Sequence, residues 1–243
     1  MRAYVLTIEP PGGPRRKSIA QQLEPAAFSW EFFEGVRRDD AGLQELYSPL
    51  RNLLLAKRSV TPSELACYAS HRAIWRRIVS SGERYALVLE DDARVVDHAA
   101  LSSALAEVER GDFDLVKLSD LRPKHIVKRV VAGQIELVSH KMLASGTVGY
   151  VLSADAAARL LQRRRVYRAV DEDIGHAWEF GIDVWSVAPN PVDEAPLAAA
   201  TSAIQVERLQ GGGNPLRSLY GELLQARKRI LTARYHSRLQ VRC

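Results

Sequence analysis

Three adjacent carboxylates, Glu90, Asp91 and Asp92, follow the strand-like run Y-A-L-V-L at residues 85–89, with no Lys or Arg among them. Like charges this close raise one another's free energy unless a cation joins them. A carboxylate cluster at a strand end suits Mg²⁺ or Mn²⁺, hard cations that take oxygen ligands and leave positions open for substrate phosphates. The chemistry this points to is leaving-group activation, in which the ion neutralises a departing diphosphate. Nucleotide sugars and nucleoside triphosphates both meet that description.

Other residues could share the work. The second acidic cluster, V-D-E-D at 170–173, offers Asp171 and Asp173, although acids at a helix start are also favoured by the macrodipole alone. Arg15, Arg16 and Lys17 follow the loop P-P-G-G-P at 10–14. They stand just past a first strand, at the edge where open α/β sheets bind ligands. They suit phosphate binding or a solvated helix start. Lys117, inside the apolar run D-L-V-K-L, pairs with a carboxylate or phosphate or points to a solvent edge. The P-loop, dinucleotide, zincin and nucleophile-elbow motifs are all absent from the chain.

The elements that must position these groups alternate between strand and helix, which argues for a largely parallel sheet covered on both faces. Strands are predicted at 2–8, 28–36, 85–89, 114–118, 147–152 and 182–187, with an antiparallel hairpin at 126–131 and 135–138. Residues 18–24 suit a short helix, and 37–60 are ambiguous between helix and packed loop. T-P-S-E at 61–64 is a capping box with Pro62 at the first helical position. The helix it opens should run to about residue 81, with Gly82 as its stop. Leu65, Tyr68, Trp75 and Ile78 recur at helical spacing, and His71 falls on the same face. That places a titratable ring at a core position, as a hydrogen-bonded core histidine or as a donor-binding group. Ser153 should cap a helix to about residue 165, and Asp171 should N-cap another that ends at Gly181.

The chain has 243 residues, 47% hydrophobic and 26% charged, which excludes disordered and collagen-like classes. No run approaches the roughly 20 apolar residues of a spanning helix, and the short N-terminal apolar run broken by Glu9 is no secretory signal core. A cytoplasmic protein, peripheral on the inner face of the cell membrane, is therefore expected. Cys67 and Cys243 are too few and too distant for a disulfide framework. Residues 217–242 carry seven Lys or Arg against the single acid Glu222, interspersed with Leu219, Leu223, Leu224, Ile230 and Leu231. This reads as a basic amphipathic tail, 211–243, appended to a domain at 1–210. Its expected partner is an anionic membrane surface, the competing view being a helix packed on the domain. No nucleic-acid partner is expected.

The run T-P-S-E-L-A-C-Y-A-S-H-R-A-I-W, then Y-A-L-V-L-E-D-D-A, D-L-V-K-L, G-T-V-G-Y-V-L-S, and V-D-E-D followed by V-W-S-V-A-P, resembles glycosyltransferase family 25, the lipopolysaccharide glycosyltransferases, over about residues 1–192. The loop P-P-G-G-P-R-R departs from that family's usual Asn-Leu, Arg-rich start. The resemblance implies a GT-A-like fold, a UDP-galactose or UDP-glucose donor, and transfer with inversion to a lipooligosaccharide, glycolipid or similar saccharide acceptor. It implies that Glu90, Asp91 and Asp92 play the part of a D-x-D-type motif, with Asp92 as first metal ligand and Glu90 or Asp91 toward the donor ribose or a metal-bound water. Arg15, Arg16, His71, Lys117 and Thr147 are the remaining donor-side candidates. Inversion needs a general base on the acceptor hydroxyl, for which Asp171 comes first and Asp173 second. A nucleotidyltransferase, or a non-catalytic basic module that binds lipid or nucleic acid, are the readings from other classes.

Overall fold

The computed structural model describes residues 1–121, 125–195 and 215–239, the last helix having described side chains from residue 220 onward. A mixed eight-stranded sheet forms the frame. In chain order its strands are β1 (Arg2–Thr7), β2 (Ser29–Glu34), β3 (Tyr85–Glu90), β5 (Leu115–Lys117), β6 (Ile126–Ala132), β7 (Ile135–His140), β8 (Gly149–Ser153) and β9 (Val184–Ala188), arranged β2-β1-β3-β8-β5-β9-β7-β6. The short strands β4 (Ala93–Val95) and β10 (Val192–Glu194) pair separately. β1, β3, β5 and β8 are buried along nearly their whole length, as expected of strands with both faces covered.

The parallel expectation holds on the flank β2-β1-β3 and for β5-β9, but β8 runs antiparallel to both of its neighbours. Its register puts Gly149 opposite Leu89. A side chain there would press to 3.2 Å from Leu89 and 3.3 Å from Val192, so this glycine serves close approach between protein elements. Residue 147 sits just before the strand, at the carboxylate end of β3.

The helices are α1 (Pro14–Leu23), α2 (Leu43–Leu46), α3 (Pro49–Leu55), α4 (Pro62–Ser81), α5 (His98–Arg110), α6 (Ala154–Leu161), α7 (Val170–Ile174) and α8 (Pro215–Arg238). α4 begins as its sequence requires. The Thr61 hydroxyl accepts from the Glu64 amide at 3.2 Å, the Glu64 carboxylate accepts from the Thr61 amide at 2.9 Å, and Gly82 ends the helix at φ 75°. A cap of this kind is worth about 1 kcal/mol. Leu65, Tyr68, His71, Trp75 and Ile78 form its buried face. Ser153 caps α6 through the Ala156 amide at 3.1 Å.

Three boundaries differ from expectation. α1 starts at Pro14 rather than at residue 18, because proline at the first helical position loses no hydrogen bond. The ambiguous 37–60 stretch contains α2 and α3, and Leu50, Leu53 and Leu54 of α3 are exposed. The helix expected over 171–181 is only the five residues of α7, followed by a 3-10 turn at Ala177–Glu179, and its N-cap is Ala169, not Asp171. The His176 ring meets the Glu172 carbonyl at 2.6 Å, which takes up an acceptor that a longer helix would use.

α8 lies against the domain. Thr232, Tyr235 and Leu239 are buried, and the Val184 amide donates to the Tyr235 hydroxyl at 2.7 Å. Tyr220 donates to the Leu54 carbonyl at 2.7 Å and Lys57 pairs with Glu222 at 2.7 Å. Residues 211–214, Arg242 and Cys243 lie outside the described residues, as do the side chains of Arg217 and Leu219. Among the described residues no helix is long and apolar enough to cross a membrane.

Candidate active site

The triplet closes β3 between two strand ends. Parallel pairing sets Leu6 opposite Glu90, so the next residue of β1, Thr7, reaches Asp91 and donates to its Oδ2 at 2.5 Å. From the other side the Glu90 amide donates to the Val148 carbonyl at 2.9 Å, and the Thr147 hydroxyl donates to Glu90 Oε1. Arg15, in the first turn of α1, places its guanidinium 3.3 Å from Asp91 and 3.8 Å from Asp92.

Glu90 is oriented by a chain of hydrogen bonds from α4 and β8. Trp75 Nε1 donates to the Tyr150 hydroxyl at 3.0 Å, and that hydroxyl meets His71 Nδ1 at 2.8 Å. Because the indole can only donate, the tyrosine proton is left for Nδ1. Nε2 then carries the ring proton and donates to Glu90 at 3.3 Å. His71, Trp75 and Tyr150 are all buried, so the relay is a positioning device inside the core. It joins the two expectations for His71: a core histidine that also touches a donor-side carboxylate.

The three carboxyls differ in environment. Burial pushes Glu90 up, but the hydrogen bonds from His71 and Thr147, with the charge of Arg15, outweigh it and hold Glu90 below the usual carboxylate range. Burial raises Asp91 in spite of Thr7 and Arg15. Asp92 is pushed up to about 7 by burial and then by the charges of Glu90 and Asp91. Its Oδ1 is buried without a hydrogen-bond partner. A buried oxygen that finds no donor, in a set made of oxygens only, is what a Mg²⁺ or Mn²⁺ ligand set offers. The donor chemistry of these carboxylates would suit such an ion. Cys67, His71 and Glu90 also bring ligand atoms within 4.8 Å of one another. Both ring nitrogens of His71 are already engaged, however, and burial drives the Cys67 thiol well up, away from the thiolate a metal needs.

Several candidates are placed elsewhere. Arg16 turns from the triplet to Glu34, gives its Nε to the Glu9 carbonyl at 2.7 Å and covers the Phe32 ring. Lys117 is buried, with its ammonium 2.7 Å from the Ala144 and Ser145 carbonyls and 3.5 Å from Asp120. Two of its donors are thereby spent on holding the loop before Gly146, and the third faces Asp120. Asp173 is fully buried between Arg163 at 2.8 Å, Arg168 at 3.3 Å and the Tyr68 hydroxyl at 2.8 Å. It anchors α7 and reaches no surface on which an acceptor could sit. Asp171 is different. It is partly exposed, accepts from the Gly146 amide at 3.3 Å, and so faces the residues that carry Thr147 and Glu90.

Sequence reasoning missed Thr7, Asp120 and Glu194. Thr7 was recoverable from the parallel register. Asp120 is a buried hub for Lys117, His140, Ser186 and Asn190. Glu194 adds its charge to Asp92 through the β4–β10 pairing, and no local pattern announced it.

The profile described as Glycosyltransferase family 25 (LPS biosynthesis protein) matches residues 11–174. A "Glycosyltransferase 25 family member" of Aedes aegypti is 26% identical over 203 residues, covering 72% of this chain and 33% of that protein. "Lacto-N-neotetraose biosynthesis glycosyltransferase LgtE" of Neisseria meningitidis serogroup B is 29% identical over 165 residues, 64% of this chain and 58% of that protein. "Procollagen galactosyltransferase 1" of Danio rerio is 30% identical over 129 residues, 48% of this chain and 20% of that protein. The chain thus spans less than two thirds of the length of each of these relatives.

Proposed function

The chain belongs to glycosyltransferase family 25, and on that premise we propose that it is a GT-A-like, metal-dependent glycosyltransferase. It moves a hexose, galactose or glucose, from a UDP-sugar to a lipopolysaccharide-type saccharide or glycolipid with inversion. The observation that carries this is the buried, unpartnered Asp92 oxygen within an oxygen-only cluster at a strand end. Support for the sugar comes from the relatives' names, one a galactosyltransferase and one a lacto-N-neotetraose enzyme.

Asp92 and Glu90 would hold Mn²⁺ or Mg²⁺, which supplies charge neutralisation on the departing diphosphate. Arg15, already within reach of the triplet, adds a second cation on the diphosphate side. Asp91, fixed by Thr7, faces the donor ribose. The Trp75-Tyr150-His71 relay keeps Glu90 ionised and aimed, so that its carboxylate need not reorganise when the donor arrives. On the acceptor side Asp171 takes the proton of the attacking hydroxyl. Its hydrogen bond to the Gly146 amide holds it at the loop that carries Thr147, and the hydroxyl it activates attacks the anomeric carbon opposite the diphosphate.

The test is a screen of UDP-sugars for donor hydrolysis and transfer, with Mn²⁺ and with chelator. Turnover of nucleoside triphosphates instead would favour the nucleotidyltransferase alternative.

The reaction would take place at the inner membrane face. On α8 the exposed Leu223 and Ile230 alternate with Arg227 and Arg234, and Tyr220 of the same helix bonds to Leu54 of α3, whose leucines are also exposed, a composition that suits an anionic interface. Because Tyr235 is buried, removing the tail would damage the domain. Leu223→Glu with Ile230→Glu is the cleaner probe, and vesicle binding unchanged by it would remove this role.

A further inference from the structure

A cavity of about 140 Å³ lies among the end of α3, α7, the 3-10 turn and α8. Five Lys or Arg line it against two Glu. The guanidinium of Arg58 is committed to Glu64, with two contacts of 2.7 Å, and to Glu172 at 3.2 Å. Arg168 is committed to Glu179 at 3.0 Å and to Asp173. Lys228 is not so committed. It projects from the buried side of α8 over Gly175, where an added Cβ would stand 3.1 Å from its Nζ. Among the described residues its ammonium makes no hydrogen bond or ion pair. An ammonium taken partly out of water without a hydrogen-bonded anion is costly: burial lowers its pKa, and Arg168 adds to the fall, against the more distant charges of Glu172, Asp171 and Asp173. The lining thus has surplus positive charge, an unmet donor and an indole, Trp178, packed beside the His176 ring.

Position gives the cavity a meaning. Glu172 lines it, and the neighbouring residue on the same short helix is Asp171, whose carboxylate points to Gly146. α7 therefore separates the donor-side carboxylates from the basic cavity, with the proposed base between them. We propose that this cavity is an acceptor subsite that takes an oxyanion, a phosphate or carboxylate borne by the acceptor saccharide, on Lys228. Trp178 offers its ring to the sugar that carries the group. The inference rests on the glycosyltransferase reading for the word acceptor, while the anion site itself stands on the geometry alone.

Titration of the intact protein with inorganic phosphate at constant ionic strength, followed calorimetrically, tests the site. Phosphate should bind the wild type, and its affinity should fall at least about tenfold in Lys228→Met, since a charge-assisted contact is lost. Lys228→Arg should restore it, and Arg15→Gln should leave it unchanged, which separates the cavity from any phosphate binding beside the triplet. Should Lys228→Met fail to fold, Arg227→Gln, on the exposed side of the same lining, gives the weaker version of the same loss. No binding, or binding equal in wild type and Lys228→Met, overturns the site. In transfer assays phosphate should raise KM for an anionic acceptor and not for the donor. Binding at Lys228 without that competition overturns the acceptor role. Donor hydrolysis by the wild type is read separately, so failure of the transferase reading shows there and not in the phosphate titration.

Discussion

The two acidic clusters, 90–92 and 171–173, carry the same charge and meet opposite treatment. At 171–173 the fold answers two of the three carboxylates with cations: Glu172 has Arg58, and Asp173 has Arg163 and Arg168. At 90–92 three carboxylates have Arg15 beside two of them, and Asp92 keeps a buried oxygen with nothing to accept from. Charge that is compensated from within holds the fold. Charge left uncompensated costs stability and is available to a ligand. Within the 171–173 cluster Asp171 follows the uncompensated pattern, since among the described residues it makes hydrogen bonds to amides but no ion pair.

Substitutions in the two clusters should therefore separate activity from stability. Asp92→Asn should lower donor hydrolysis and transfer by about 10³-fold, some 4 kcal/mol of transition-state stabilisation, while the melting temperature holds or rises. An active Asp92→Asn enzyme would end the metal-site reading. Asp171→Asn should cut kcat by about 10²- to 10⁴-fold, the span of general base catalysis, with donor affinity by calorimetry unchanged. Asp173→Ala should do the reverse. It removes the fully buried partner of Arg163, Arg168 and Tyr68, leaves both guanidinium groups, among the described residues, to the carboxylate of Glu179 alone, and should cost about 3–5 kcal/mol in denaturant unfolding, so a variant as stable as wild type would break the comparison. Tyr150→Phe removes the hydroxyl between Trp75 and His71 and should cost about 1–3 kcal/mol of stability for the orphaned partners, with a smaller loss in kcat as Glu90 loses its fixed aim.

The clusters should also part in their response to acid. Asp92 is raised to about 7, so the folded chain takes up this proton more readily than the unfolded one and gains stability as pH falls from about 7 toward the ordinary carboxylate range. By the same protonation, Mn²⁺ affinity should rise between pH 6 and 8. Glu179, next to the second cluster, is brought down to about 2: burial alone would raise it, but the hydrogen bond and charge of Arg168, with Arg163, prevail. Its contribution is present above the ordinary glutamate pKa and is lost as pH falls toward 2. His176, lowered to about 3 by burial and then by Lys228 and Arg168, loses its contribution from about 6.5 downward. Thermal unfolding against pH should show the first gain abolished in Asp92→Asn and the acid loss reduced in Glu179→Gln.

Much of this was legible in the chain. The capping box, Gly82 and the apolar spacing determined α4 and with it the face that holds His71, because helix ends and periodicity are local properties. Three adjacent acids after an apolar run determined that a cation was wanted. What the sequence left open was decided by long-range pairing. The antiparallel insertion of β8 set Thr147 and Tyr150 beside Glu90 and His71, and the parallel register of β1 set Thr7 on Asp91. Of two adjacent arginines, Arg15 reached the site and Arg16 went to β2, a choice made by where α1 packs. Of two aspartates in V-D-E-D, burial took Asp173 for the core and left Asp171 for chemistry. The docking of α8 then closed a basic cavity that no contiguous stretch of sequence contains. Residue type and local spacing state which charges are present. Only the tertiary structure decides which of them are neutralised, because neutralisation depends on neighbours brought from elsewhere in the chain.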